Sequence, residues 1–227
     1  MAHEGDLIYF QDPAKSIDGI VALGGPLTTT NLLRAYCSGI FPWPINEHIV
    51  PWCCPEERSI LEFKDLHISR SLARTRRKTT FDFTIDQSFL QVITSCAMVE
   101  RKFESGTWIT PQMIAAYNEL HKAGHAHSVE VWEGTELVGG VYGVDGCGSF
   151  SGESMFTFRP NASKLALLYL IEHLKSRGLD WIDIQTLTPH MEAMGAKTIP
   201  RARFLERLSA TQKQQLVLFP QILSLED

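Results

Sequence analysis

Residues 162–175 read Ala-Ser-Lys-Leu-Ala-Leu-Leu-Tyr-Leu-Ile-Glu-His-Leu-Lys. Leu167, Leu170 and Leu174 form one stripe at helical spacing, and Leu165, Leu168, Tyr169 and Ile171 widen it until the helix is apolar nearly all round. Such a helix is covered on more than one side, so the rest of the chain must be built around it. Asn161 is placed to cap it and Gly178 to close it. A strand over 181–187 follows. Ile182 and Ile184 fall on one side, and Asp183 and Gln185 share the other, because side chains alternate along a strand. With a short strand at 148–150 before the helix, this is a strand–helix–strand unit, which requires a parallel pairing with a right-handed crossover. A carboxylate and an amide at the end of a buried strand cost free energy unless each finds a partner. Glu153, just past the preceding strand, is a third polar group in an apolar stretch. Together they mark a candidate site.

The other elements fit around this unit. Thr28 to Thr30 cap a short helix to about Cys37, with Leu32, Leu33 and Tyr36 on one face and Gly39 stopping it. Ile40-Phe41-Pro42-Trp43-Pro44 and Pro51-Trp52-Cys53-Cys54-Pro55 are too rich in proline for helix, so their tryptophans stand in extended turns, prone to exposure. A strand is expected over 59–63, a helix capped by Ser69 to Lys78, and another capped by Asp86 to Ala97 with Phe89, Leu90 and Ile93 inward. Thr110-Pro111 starts a helix carrying Ile114, Tyr117 and Leu120 inward and ending at Gly124. Strands over 128–132 and 137–144 are joined by a short hairpin loop. The class is α+β with a mixed sheet. The boundary falls near residues 55–58, dividing the chain into a small loop-rich N-terminal domain, 1–58, and a larger domain, 59–227.

Of the 227 residues, 44% are hydrophobic and 21% charged, enough for an ordinary core. The net charge of −5 argues against a protein whose main task is coating nucleic acid. Cys37, Cys53, Cys54, Cys96 and Cys147 are odd in number and follow no metal spacing, so reduced thiols in a cytoplasmic protein are expected. Met-Ala-His-Glu-Gly-Asp lacks the order of a signal peptide, and no apolar run approaches the ~20 residues that cross a bilayer.

Several chemistries are disfavoured. A meander leading into this helix resembles the acetyltransferase core that binds acyl coenzyme A, but that activity needs a glycine-rich loop for pyrophosphate. Here the loop has no glycine after Gly152, and Met155, Phe156 and Phe158 fill the space. His125 and His127 have no matching ligand pattern, and a hydrogen-bonding role suits them better. Gly152-Glu153-Ser154 is not a nucleophile elbow, and no nucleotide-phosphate loop is present. Arg70, Arg74, Arg76, Arg77 and Lys78, by contrast, fall on or just after one short helix with no acid among them. Arg70, Arg74 and Arg77 share a face, suited either to contacts with a phosphate backbone or to a simple solvated surface.

Long words in order resemble the bacterial leucyl/phenylalanyl-tRNA–protein transferases. They include Ala22-Leu23-Gly24-Gly25, Gly39-Ile40-Phe41-Pro42-Trp43, Gly106-Thr107-Trp108-Ile109-Thr110, Leu137-Val138-Gly139-Gly140-Val141-Tyr142-Gly143, Gly152-Glu153-Ser154-Met155-Phe156 and Asn161-Ala162-Ser163-Lys164. The resemblance runs from Leu23 to about Leu208. It implies an acetyltransferase-like (GNAT-like) C-terminal domain beside a small N-terminal one. It also implies transfer of leucine, phenylalanine or, less well, methionine from Leu-tRNA, Phe-tRNA or the methionyl counterpart to proteins with N-terminal Arg or Lys, marking them for N-end rule degradation. No cofactor, metal or ATP is implied, and a cytoplasmic monomer away from membranes is expected. The ester is already activated, so an attacking amine needs deprotonation, positioning and stabilisation of the oxyanion.

Carried over by resemblance, Asp183 and Gln185 match the pair implicated in transfer, and Glu153 matches a residue at the aminoacyl and acceptor end. Trp43, Trp108 and Tyr117 match aromatics around the terminal adenosine, where stacking is worth about 1–3 kcal/mol per base. Val141, Phe150, Met155, Leu167, Leu170, Leu174 and Ile182 match the side-chain pocket, in which each buried methylene contributes about 0.8 kcal/mol. The basic run 70–78 is the expected tRNA contact. The chain departs from the family pattern where Thr188 replaces an asparagine, where Trp52-Cys53 replaces a tryptophan pair, and where Val141, Leu170 and Leu174 replace a methionine and phenylalanines. A non-catalytic tRNA-binding module and another enzyme of the same fold class are the competing readings.

Overall fold

The computed structural model describes residues 7–46, 49–99 and 108–220. The N-terminal hexapeptide and the Gly106-Thr107 part of one family word lie outside them. β1 (Ile20–Leu23), α1 (Thr29–Cys37), β2 (Phe41–Pro42) and β3 (Pro51–Cys53) come first, and the strands form an antiparallel sheet of order β1-β3-β2. Thr28 caps α1 by accepting the Asn31 N–H. Two of the proline-dense turns are therefore short strands. Trp52 is not exposed-prone: it is 0% exposed, and its indole N–H donates to the Gly24 carbonyl at 2.9 Å. Trp43 is 39% exposed.

The chain continues through β4 (Glu57–Glu62), α2 (Arg70–Lys78), β5 (Asp82–Ile85), α3 (Phe89–Met98), α4 (Pro111–Lys122), β6 (Ala126–Glu133), β7 (Glu136–Asp145) and β8 (Phe150–Thr157). After these come α5 (Ala162–Ser176), β9 (Trp181–Gln185), α6 (Pro189–Ala193), β10 (Lys197–Pro200) and α7 (Arg201–Gln212). A seven-stranded mixed sheet runs β10-β4-β9-β8-β7-β6-β5. Its neighbours are antiparallel except β8 and β9, which are parallel with Ser151 opposite Asp183. The crossover through α5 expected from the sequence is present. Gly139 lies beneath the first turn of α5, where an added Cβ would sit 2.5 Å from the Ala162 Cβ. Only glycine lets the helix pack that close.

The structure differs from the sequence expectations at several points. Residues 150–157, read mostly as a loop, are strand β8, because β7 pairs along almost its whole length. Asn161 holds the N-cap position with φ 68° and makes no side-chain capping bond, and the Ala162 N–H bonds the Arg159 carbonyl instead. α3 starts two residues later than expected, with Ser88 rather than Asp86 at the cap position. Asp86, with φ 60°, turns its carboxylate to the Ser128 N–H at 2.8 Å and to His127 Nδ1 at 2.7 Å. That contact gives His127 the hydrogen-bonding role expected of it. Leu90 is 50% exposed rather than inward, and Met113 rather than Ile114 is buried on α4. β5, α6, β10 and α7 carried no clear sequence signal.

Cys37 and Cys147 are joined as a disulfide, with Cα atoms 5.6 Å apart, so the expectation of five reduced thiols fails for this pair. Their sequence separation of 110 residues hid them. Cys53 and Cys54 are free thiols. A crosslink closing a loop of that size constrains the unfolded chain, and Cys37→Ser with Cys147→Ser is expected to lower stability by about 2–5 kcal/mol. Urea unfolding of the oxidised protein and the variant measures this; coincident midpoints would refute it. No helix among the described residues is long and apolar enough to cross a membrane.

Candidate active site

A cavity of about 600 Å³ opens where β8, β9, α5 and α6 meet the β2 segment. Its apolar lining comes from Val141 on β7, Met155 on β8, Leu167 and Leu170 on α5, and Ile182 and Ile184 on β9. Trp43 and Trp108 form an aromatic wall, their rings near-parallel at 7° with centroids 5.9 Å apart. Thr188 lines it too, while its hydroxyl caps α6 by accepting the Met191 N–H.

Glu153 and Gln185 supply the polar pair. The Gln185 Nε2 donates to Glu153 Oε1 at 2.6 Å, and both residues line the cavity. The buried hydroxyls of Tyr36 and Tyr117, 2.5 Å apart, also reach the Glu153 carboxyl. Desolvation pushes the Glu153 pKa up to about 8; the Tyr36 hydroxyl, Arg58 and Gln185 pull it down, while the Asp183 charge pushes it up. Burial, with the Glu153 charge next, raises both tyrosines well above their ordinary value.

β9 does not keep strict alternation to its end. Ser59 pairs with Gln185 and Ile60 with Asp183, so Ile184 is an extra, unpaired residue. Gln185 adopts φ 54°. A bulge re-aims side chains, and here it brings Ile182, Ile184 and Gln185 all to the cavity. Asp183 does not line it. Its Oδ1 accepts from Arg58 Nε at 2.7 Å and from the Gln185 N–H at 3.0 Å, and its Oδ2 from Arg58 Nη2 at 2.6 Å and Ser151 Oγ at 2.9 Å. Burial works against the Arg58 charge, yet the Asp183 carboxylate holds its pKa above the ordinary arginine value.

The expected constellation is thus corrected in three places. Asp183 and Gln185 do not share one open face. Tyr117 is 0% exposed and serves Glu153 from behind, so no base can stack on it. Phe150 and Leu174 pack in the core behind the cavity rather than lining it. The basic run keeps its expected place: Arg70, Arg74, Arg76, Arg77 and Lys78 of α2 are all exposed, with Arg76 also paired to Glu172 of α5. The sequence reading missed Arg58, Tyr36 and Phe41. Arg58 carries one signal, a lone cation in a run that continues Ser-Ile-Leu, at the expected domain boundary.

An apolar chamber with a carboxyl and an amide in contact on its wall suits an apolar acyl group met by a nitrogen nucleophile. Fold and site together suit an enzyme that moves a proton beside a bound apolar group. The family model described as leucyl/phenylalanyl-tRNA protein transferase matches residues 60–209, and that of its N-terminal domain matches residues 25–56. A leucyl/phenylalanyl-tRNA–protein transferase of Anaeromyxobacter dehalogenans (strain 2CP-C) is 45% identical over 206 residues, covering 90% of this chain and 88% of its own. One from Pseudoalteromonas atlantica is 44% identical over 212 residues, covering 92% and 90%. One from Hydrogenovibrio crunogenus is 48% identical over 187 residues, covering 82% and 73%. The chain belongs to the leucyl/phenylalanyl-tRNA–protein transferase family.

Proposed function

We propose that this chain transfers leucine or phenylalanine, and methionine less well, from aminoacyl-tRNA to the α-amine of proteins beginning with Arg or Lys. The product is marked for N-end rule degradation. The observation that carries this reading is the Glu153–Gln185 pair set on the wall of an otherwise apolar cavity. The esterified side chain sits among Val141, Met155, Leu167, Leu170 and Ile182. Trp43 and Trp108 face the terminal adenosine, and the exposed cations of α2 contact the tRNA backbone. Residues 59–227 form an acetyltransferase-like domain and residues 1–58 a small N-terminal one. The protein works as a cytoplasmic monomer.

The ionised form of Glu153, the minor fraction below about pH 8, takes a proton from the arriving α-ammonium. A free α-amine has a pKa of about 7.7–8.0, close to that of the carboxyl, so this transfer is nearly balanced. The amine nitrogen then attacks the ester carbonyl carbon, the C–N bond forms and the carbon–ribose oxygen bond breaks. The second amine proton ends on the ribose oxygen, and Glu153 releases its own to solvent. Gln185 orients the carboxyl and, through it, the nucleophile.

The decisive test incubates the protein with radiolabelled Leu-tRNA and an Arg-initiated protein, without ATP, and counts label in protein. No label above background, or acetylation from acetyl coenzyme A without tRNA, would overturn the reading. Side-chain choice follows from the cavity lining. Val141→Met with Leu170→Phe adds bulk where a phenylalanyl ring must fit, and is expected to lower Phe relative to Leu transfer by about tenfold. An unchanged ratio would remove these two residues from the specificity pocket.

A further inference from the structure

We infer that Arg58 is a positioning residue for the transfer step, acting on Gln185 through the Asp183 carboxylate. The inference rests on the transferase reading above. Arg58 is 1% exposed, and its guanidinium lies between the rings of Phe41 and Phe204, 4.4 and 4.6 Å from their centroids. Its fork grips both oxygens of Asp183, as a planar guanidinium does best. Among the described residues Nη1 has no hydrogen-bond partner, and the group is held there by the carboxylate and the two rings.

Among the described residues Asp183 receives four donors, two from Arg58, one from Ser151 Oγ and one from the Gln185 N–H. A carboxylate so surrounded, and off the cavity lining, is an anchor rather than a proton acceptor for an incoming amine. What it anchors is the backbone of Gln185. A non-glycine residue at φ 54° persists only where its surroundings over-determine it. The bond from the Gln185 N–H to Asp183 Oδ1 is one such determinant, and Arg58 fixes where that oxygen lies. From that backbone the Gln185 side chain reaches Glu153 at 2.6 Å. Phe41 covers Arg58 and also lines the cavity, so the same guanidinium supports the wall beside the reacting groups.

A purely structural ion pair would behave differently. A buried pair replaced by apolar residues of similar volume usually leaves stability unchanged or improved. Arg58→Met with Asp183→Leu is therefore expected to fold with a thermal midpoint near that of the wild type. Its kcat for Leu transfer should fall by about 100-fold, while KM for Leu-tRNA is held. Arg58→Lys keeps the charge without the fork, and should lose kcat partially at unchanged KM. It also serves should the double variant fail to fold. Wild-type kcat in either variant would overturn the inference. The side-chain amide protons of Gln185, followed by NMR in the wild-type protein and in Arg58→Lys, give a readout independent of transfer. Their hydrogen-bonded signature should be lost in the variant, and its persistence would refute the inference. A wild-type protein without transfer activity, but with that signature lost in Arg58→Lys, would instead defeat the transferase reading alone.

Discussion

Arg58→Ala is expected to lower the free energy of unfolding by about 3–5 kcal/mol, because it strands the Asp183 carboxylate without its cation. Asp183 is 3% exposed, so little water can replace the lost partner. Ser151 Oγ and the Gln185 N–H remain as neutral donors, and neither carries the charge that offsets burial. The rings of Phe41 and Phe204 also lose the group packed between them. Urea unfolding at neutral pH measures the effect. A loss within about 0.5 kcal/mol, the range of an ordinary surface substitution, would show that the carboxylate finds water or a proton at negligible cost.

Glu153→Gln is expected to reduce transfer by about 10²–10⁴-fold, the usual contribution of a positioned acid–base group. The same substitution should flatten part of the pH dependence of stability. The folded protein holds the Glu153 proton up to about pH 8, whereas an unfolded glutamate releases it near 4.3. The contribution of this group to stability is therefore fully present below the unfolded pKa and is lost as pH rises through about 8. Glutamine has no proton to lose, so the variant should gain stability relative to the wild type steadily between about pH 4.5 and 8. Parallel denaturation curves across that window would mean that Glu153 titrates as an exposed carboxyl. Activity retained in full would remove it from the proton path.

The sequence made the centre of the fold legible because burial there leaves a periodic trace. The stripe of Leu167, Leu170 and Leu174 announced α5, and the crossover to Trp181 fixed one parallel pair in advance. The same logic failed wherever the site interrupts regularity. Gly152, Glu153 and Ser154 broke the apolar pattern of β8, so a paired strand looked like loop. Alternation placed Gln185 beside Asp183, but the extra residue at Ile184 separates their side chains, and nothing in Trp-Ile-Asp-Ile-Gln marks a bulge. Family words identified Glu153, Gln185 and most of the cavity lining, yet they also carried Phe150, Leu174 and Tyr117 one layer too far forward. Arg58 was invisible for a different reason. Its meaning depends on a carboxylate 125 residues away and on two rings from separate elements, which only tertiary contact joins.

The depth of the Arg58–Asp183 pair has a consequence for ionic strength. Mobile ions screen exposed charges beyond about 8 Å at physiological salt, and barely enter a dry interior. In the proposed complex the exposed cations of α2 face the tRNA backbone, so added salt should weaken that contact, whereas the guanidinium between Phe41 and Phe204 keeps its full field. Titration with potassium chloride thus separates capture of the nucleic acid from the bond-making step, lowering the first while leaving the turnover of already bound complexes intact.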